Sequence, residues 1–260
     1  MRFITLTTDF GSKDWFVGTM KGVILGIAPR ATVVDITHEV PPGDIRAGAF
    51  ALLAAFRYFP TRTVHVVVVD PGVGSARQAI AVQTVNYFFV GPDNGVLSWA
   101  LARENVKSIR RLENEKCFRH PVSRTFHGRD VFAPVAAHLS KGFTFAKLGR
   151  ELKNPVPLPW PRPRKTGDAL HGEIVYIDHF GNAITNIDIR SLKSGKTRAV
   201  RVFAGRKVVC GLADFYQAVP PGKPVAVFGS SGFLEIAVNG ASAAQHFKLR
   251  VGDGVTVRPH

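Results

Sequence analysis

The sequence predicts an α/β fold in two parts: an N-terminal α/β domain with a largely parallel central sheet, then a small antiparallel β-barrel domain at the C-terminal end. Three observations predict it. Short β-branched runs alternate with segments of helical period through the first half. Alternate prolines interrupt the chain at residues 154–163. Beyond them come short alternating runs separated by Gly, Asn and Pro turns. With 260 residues and 45% hydrophobic content the chain can bury a substantial core. The expected boundaries are 1–153 for the first domain, 154–168 for a proline-rich linker and 169–260 for the barrel.

Strands in the first half are expected at 2–8, 32–37, 63–70 and 79–84, with a fifth near 87–90. Between the first two, residues 14–28 put Phe16, Val17, Met20, Ile24 and Ile27 on one helical face and stop at Pro29. Residues 44–59 read as the second crossover helix, closed by Pro60. The run Val64 to Val69 is apolar except for His65, as in a strand covered on both faces, and marks the centre of the sheet. The turn Gly91-Pro92-Asp93-Asn94-Gly95 leads into a short helix, and 129–139 reads as a further helix kinked at Pro134. The proline-rich stretch can be neither helix nor central strand, because its prolines lack amide donors and favour polyproline II. After it, strands are expected at 172–178, 183–189, 199–203, 225–228, 233–238 and 254–258.

Composition excludes several classes. No run of about 18 uninterrupted apolar residues exists to span a bilayer. The start Met1-Arg2-Phe3-Ile4-Thr5 lacks the basic-then-apolar layout of a secretory leader, so a cytoplasmic protein is expected. Cys117 and Cys210 form no CxxC pair and have no His-rich context, which makes them buried structural thiols. Lys and Arg number 34 against 19 Asp and Glu, for a net charge of +15. The basic residues are scattered and no nucleic-acid motif accompanies them, so a solvated basic surface is expected rather than a nucleic-acid partner.

In an open parallel sheet, ligands bind outside the carboxyl ends of strands, so polar residues just after strands are the first candidates. The first strand ends in Thr7-Thr8-Asp9-Phe10-Gly11, where a carboxylate could accept from a vicinal diol or simply cap the next helix. The central strand ends in Asp70-Pro71-Gly72-Val73-Gly74-Ser75-Ala76-Arg77, a glycine-rich turn with an acid near a guanidinium. This turn lacks the GxxxxGK[ST] spacing, and no GxGxxG follows the first strand, so ATPase and nicotinamide readings lose their main support. Thr125-Phe126-His127-Gly128-Arg129-Asp130 offers an imidazole with space beside it. Tyr176 to Asn182 and Gly229 to Glu235 are polar turns in the second half. Asp70, His127 and His179 lack the HxxxH or HxH spacing of a metal site, and no metal or cofactor is expected.

Five ordered motifs together resemble the S-adenosylmethionine hydroxide adenosyltransferase family, relatives of the fluorinase and chlorinase. They are Thr8-Asp9-Phe10-Gly11, the Asp70 to Ser75 turn with Arg77, Phe126 to Asp130, Asp178-His179-Phe180-Gly181-Asn182, and the segment Ser230 to Gly240. The resemblance spans nearly the whole chain. It implies an N-terminal α/β domain, a C-terminal barrel, and a homotrimer with active sites between subunits. It also implies hydrolysis of S-adenosylmethionine to adenosine and methionine by a water-activating set of Asp70, Arg77 and His127. Asp9 would hold the ribose hydroxyls, Asn182 and Gly240 would meet adenine, and Phe180 would pack on its face. Asp178, Ser230 and Glu235 would take the methionine end. Similar halogenases carry Tyr at the place of Asp70, and the fluorinase carries Ser at the place of Gly128. A carboxylate there repels halide, whereas water gains a fixed acceptor. The fluorinase also has Arg at the place of Ser231, which leaves the carboxylate grip weaker in this chain. A halide-using enzyme, or a basic module that only senses S-adenosylmethionine or adenosine, remains the alternative.

Overall fold

The computed structural model describes residues 3–191, 200–205 and 207–259; positions 2 and 199 of the expected strands lie outside the described residues. The chain divides into two compact units, Met1–Pro159 and Trp160–His260, with the division inside the proline-rich stretch.

In chain order the first unit contains β1 (Phe3–Thr8), α1 (Phe16–Ile27), β2 (Thr32–Thr37), α2 (Ile45–Ala55), β3 (Val64–Val68), β4 (Ala79–Thr84), β5 (Phe88–Pro92), α3 (Ser98–Leu101), β6 (Val106–Arg111) and α4 (Ala133–Ser140). The sheet order is β2-β1-β3-β5-β4-β6. β1 runs parallel to β2 and β3, and β3 parallel to β5, while β4 is antiparallel to both its neighbours. α1 and α4 cover one face, where Ile4, Leu6, Val64, Val66 and Val68 meet Met20, Ile24 and Val135. α2 crosses the other face. With both faces covered, every residue of β3 is buried, as its apolar run requires.

His65 is the polar exception within β3 and is fully buried. Its Nδ1 lies 2.8 Å from the Thr5 hydroxyl, and its ring stacks on Phe89 at 5.3 Å and meets Phe56, Phe59 and Tyr87 edge-on. Burial pushes its pKa down to about 3, so the ring is neutral in the fold.

Asp44 starts α2 by accepting from the Ala47 amide at 2.9 Å, which satisfies one of the helix's orphan donors. Asp44→Ala is expected to lower stability by about 1 kcal/mol, read as a shift in the denaturant midpoint at constant slope. Pro134 stands in the first turn of α4, inside a helical run that continues from His127 to Ser140. Its missing amide is harmless at that position, and Gly128–Phe132 before it forms a wider π-type turn. β6, Val-Lys-Ser-Ile-Arg-Arg, was not expected as a strand, because its polar texture resembles a loop.

The second unit comprises β7 (Arg164–Thr166), β8 (Ala169–Ile177), β9 (Ala183–Asp188), β10 (Val200–Ala204), β11 (Lys207–Gly211), β12 (Pro224–Phe228), β13 (Phe233–Val238), α5 (Ala243–Phe247) and β14 (Gly254–Pro259). The strands pair antiparallel in the order β11-β10-β14-β8-β9-β13-β12, and β7 adds to β8. Leu212 bridges to Ala226, and the Ala213 amide donates to the Ala226 carbonyl at 2.8 Å. The ends of the sheet therefore come together and the barrel nearly closes. Its core is filled by Leu170, Ile174, Ile187, Val202, Leu234, Ile236 and Val257.

Cys117 and Cys210 are free and buried. Burial raises both thiols, Cys210 to about 12, which keeps them protonated. Among the described residues no helix is long and apolar enough to cross a membrane.

Candidate active site

The carboxyl ends of β1 and β3 open onto a cavity of about 540 Å³ in the first unit. Asp9, Asp70, His127 and Gly128 all line it. Phe10, Phe16 and Phe126 form one wall, with ring centroids 5.2–5.8 Å apart. These rings were not singled out from the sequence, since Phe16 fits the apolar face of α1 and the other two sit inside motifs read for their polar members.

The loop after β3 folds back so that its acid and guanidinium meet. Val73 donates to the Asp70 carbonyl at 3.2 Å, Ser75 to the Gly72 carbonyl at 3.1 Å, and the Ser75 hydroxyl accepts from the Arg77 amide at 3.2 Å. Arg77 then grips Asp70 with both nitrogens of its fork, Nε to Oδ1 at 2.9 Å and Nη2 to Oδ2. The two side chains are 10% and 4% exposed, so this pair is shielded from water. The same Nη2 lies 2.9 Å from His127 Nδ1, and the guanidinium rests 5.4 Å from the centre of the Phe132 ring. Asp70, Arg77 and His127 thus form one contiguous group, with Asp70 and His127 facing the cavity and Arg77 behind them.

Glycines fix the distance between the two loops. Gly74 has φ +76°, and a Cβ there would overlap the Arg124 carbonyl oxygen, so the turn seats directly against the segment that carries His127. A Cβ on Gly128 would come within 3.2 Å of both Met20 Sδ and the Phe126 ring. That segment is anchored by fully buried Asp130, which accepts from Arg129 Nε and Nη2, each at 2.7 Å, and from the Ser123 amide at 2.9 Å.

Electrostatics follow from burial. His127 is held below its ordinary pKa by desolvation and then by Arg77, so it is neutral at pH 7. Burial pushes the Asp9 carboxyl up and the nearby Asp70 charge adds to this, opposed by the Gly43 amide, which donates to Asp9 Oδ2 at 2.8 Å.

The other candidates cluster in the second unit. Asp178 opens the turn after β8 and accepts from the Asn182 amide at 2.8 Å and from Asn182 Nδ2 at 3.0 Å. Asn182 is buried, whereas Phe180 at the tip is 75% exposed. On β13, Glu235 lies across from Ile184 and is 5% exposed. Burial and the charge of Asp178 raise its pKa, while Tyr216 opposes them by donating to Oε2 at 2.7 Å. Tyr216 is a further residue missed from sequence, where Phe215-Tyr216-Gln217 carries no motif. Gly229 leaves the room that the Glu235 carboxylate fills. Gly240 turns the chain after β13 at φ +76°. Ser230 sits in the β12–β13 turn beside Ser231, whose hydroxyl is buried with no partner among the described residues. No group of three His, Cys, Asp or Glu side chains suited to a metal ion exists among the described residues.

Two family models match the chain in this same order. The SAM hydroxide adenosyltransferase N-terminal domain matches residues 4–149 and the corresponding C-terminal domain residues 172–256. The chain belongs to the SAM hydroxide adenosyltransferase family. Among individual relatives, the (R)-S-adenosyl-L-methionine hydrolase of Salinispora arenicola is 42% identical, covering 98% of this chain and 97% of the relative. A fluorinase of an Actinoplanes species is 28% identical over 98% of this chain and 96% of its own. A crystal structure of an uncharacterized conserved protein from Thermotoga maritima superposes with a TM-score of 0.93 at 40% identity, covering 98% of this chain and 99% of that one. In this member of the SAM hydroxide adenosyltransferase family, the carboxylate and imidazole named from the motifs line one cavity, and the guanidinium joins them from behind.

Proposed function

We propose that the chain hydrolyses S-adenosyl-L-methionine at C5′, giving adenosine and L-methionine, in the cytoplasm and with no cofactor. The observation that carries this reading is the guanidinium of Arg77 joined at once to Asp70 and to His127 Nδ1 beside a cavity that also contains Asp9. Arginine is always a donor, so His127 Nδ1 accepts and its proton sits on Nε2. The neutral ring then offers a water molecule a donor, and Asp70 offers it an acceptor. Water oxygen bonds to C5′ as the C5′–S bond breaks; the electron pair stays on sulfur, which becomes a neutral thioether, and the water proton passes to the Asp70 carboxylate. The sulfonium needs no acid to leave. General-base help of about 10²–10⁴-fold is supplied by Asp70, and orientation of the water supplies the remainder.

Asp9 is assigned to the ribose hydroxyls and Gly128 to the space beside the reacting carbon. In the barrel, Asn182 spends its amide nitrogen on Asp178, which leaves its oxygen for the adenine amine, with Phe180 on the base's face and Gly240 at its edge. Asp178 and Glu235 are two neighbouring acids suited to an ammonium, and Ser230 provides a donor for the methionine carboxylate. These two sets lie on separate units, and the homotrimer implied by the resemblance would join them between subunits.

The relatives' name specifies an (R) centre in addition to the L amino acid, which leaves the sulfonium as the (R) centre. We take the (R) epimer as the substrate here too. Purified protein given both epimers should consume the (R) form and release adenosine and methionine in equal amounts, with EDTA present and chloride varied. Formation of 5′-chloro-5′-deoxyadenosine, or ligand retained without product, would replace hydrolysis by halogenation or by sensing.

A further inference from the structure

We propose that His38 is a positioning residue that holds Asp9 in the orientation needed to receive the ribose hydroxyls; the inference rests on the ribose reading of Asp9. His38 follows β2, touches none of the reacting groups, and is 9% exposed. Its Nε2 lies 3.0 Å from Asp35 Oδ1, and Asp35 Oδ2 in turn takes Lys21 Nζ at 2.5 Å. A neutral ring with its proton on Nε2, toward that carboxylate, leaves Nδ1 as an acceptor. Nδ1 lies 2.9 Å from the hydroxyl of Thr8, which is fully buried and immediately precedes Asp9. With its proton directed at the ring, the Thr8 oxygen is free to accept, and the Phe10 amide points to it at 3.3 Å. Lys21, Asp35, His38, Thr8 and Phe10 thus form one continuous series of polar contacts, in which His38 Nε2 meets Asp35 at ion-pair distance without an aligned hydrogen bond, and its last two bonds fall on either side of Asp9.

The backbone of the same loop completes the grip. The Gly11 amide donates to the His38 carbonyl at 2.8 Å, and the Gly43 amide, five residues beyond His38, donates to Asp9 Oδ2 at 2.8 Å. Residues 38–43 therefore hold the Asp9 loop before it, on it and after it. Neither His38 nor Thr8 lines the cavity, so substituting either replaces no residue of the lining.

The test compares the full ribose with one hydroxyl fewer. kcat/KM is measured for S-adenosyl-L-methionine and for its 2′-deoxy analogue, with the same sulfonium epimer, in the wild type and in Asp9→Asn, Thr8→Val, Thr8→Ser, His38→Leu and His38→Asn. Loss of a hydrogen bond to a charged group is worth about 10-fold or more, so the wild type should favour the ribose by that ratio. Asp9→Asn should collapse the ratio. Thr8→Val and His38→Leu should reduce it several-fold through KM, while Thr8→Ser and His38→Asn, which return the hydroxyl and an acceptor near Nδ1, should restore most of it. A merely structural role would lower activity on both substrates and leave the ratio alone. Should Thr8→Val fail to fold, the His38→Leu and His38→Asn pair carries the same comparison. An unchanged ratio in His38→Leu alongside a collapsed one in Asp9→Asn overturns the inference; a wild type indifferent to the missing hydroxyl overturns the ribose reading of Asp9 instead.

Discussion

Asp70→Asn is expected to lower kcat by about 10²–10⁴-fold while adenosine still binds, because the amide keeps the shape of the side chain and loses the basic oxygen. The variant also turns an NH₂ group toward Arg77 in place of one carboxylate oxygen, so the guanidinium fork that donates two bonds to Asp70 now donates one. His127 should respond differently. Glutamine can accept from Arg77 and donate toward water, so His127→Gln should retain markedly more activity than His127→Ala. A histidine acting as the base would make both substitutions equally damaging. Single-turnover adenosine formation, paired with equilibrium binding of adenosine, separates the chemical step from recognition. Asp70→Asn within threefold of wild type would remove Asp70 as proton acceptor.

Folding stability should fall by about 1.4 kcal/mol per pH unit below pH 6.5 on account of His65 alone, to a total of about 5 kcal/mol near pH 3. The sign follows from where the proton binds. His65 is held at about 3 in the fold by burial among aromatic rings and rises to 6.5 when the chain opens. Between those values the unfolded chain binds more protons, so acid favours unfolding and the stabilisation is complete only above pH 6.5. His127 and His138 are lowered too, chiefly by burial, and the salt-bridged Asp130 adds loss at still lower pH. The diagnostic quantity is thus the difference in slope between wild type and His65→Leu. Urea midpoints at pH 7, 6 and 5 supply it, and equal slopes in the two proteins would show that His65 is not the group responsible.

The first half was readable because its strands are short apolar runs between clear stops, and Val64 to Val69 in particular looks like nothing but a covered strand. β6 was invisible for the opposite reason. Its Lys107, Arg110 and Arg111 suit a solvated loop, and only pairing with β4 makes it extended. β7 and β11 were missed because each is short and bounded by glycine or masked by neighbouring basic residues. In the active region, periodicity located the ends of β1 and β3 and hence Asp9 and Asp70. It could not bring Arg77 to His127, 50 positions away, because that meeting depends on Gly74 docking on a carbonyl that no local pattern announces. The family resemblance filled this gap. It did not supply Tyr216, the aromatic wall or His38, whose partners are visible only in three dimensions.

Gly74 also sets a limit on how the molecule can vary. Charges and rings are the visible parts of the reactive cluster, yet their spacing depends on one hydrogen atom where every other amino acid has carbon. A single methyl group there would wedge two loops apart and part the imidazole from its guanidinium without altering one ionisable atom. Function in this fold is therefore vulnerable at a residue that does no chemistry.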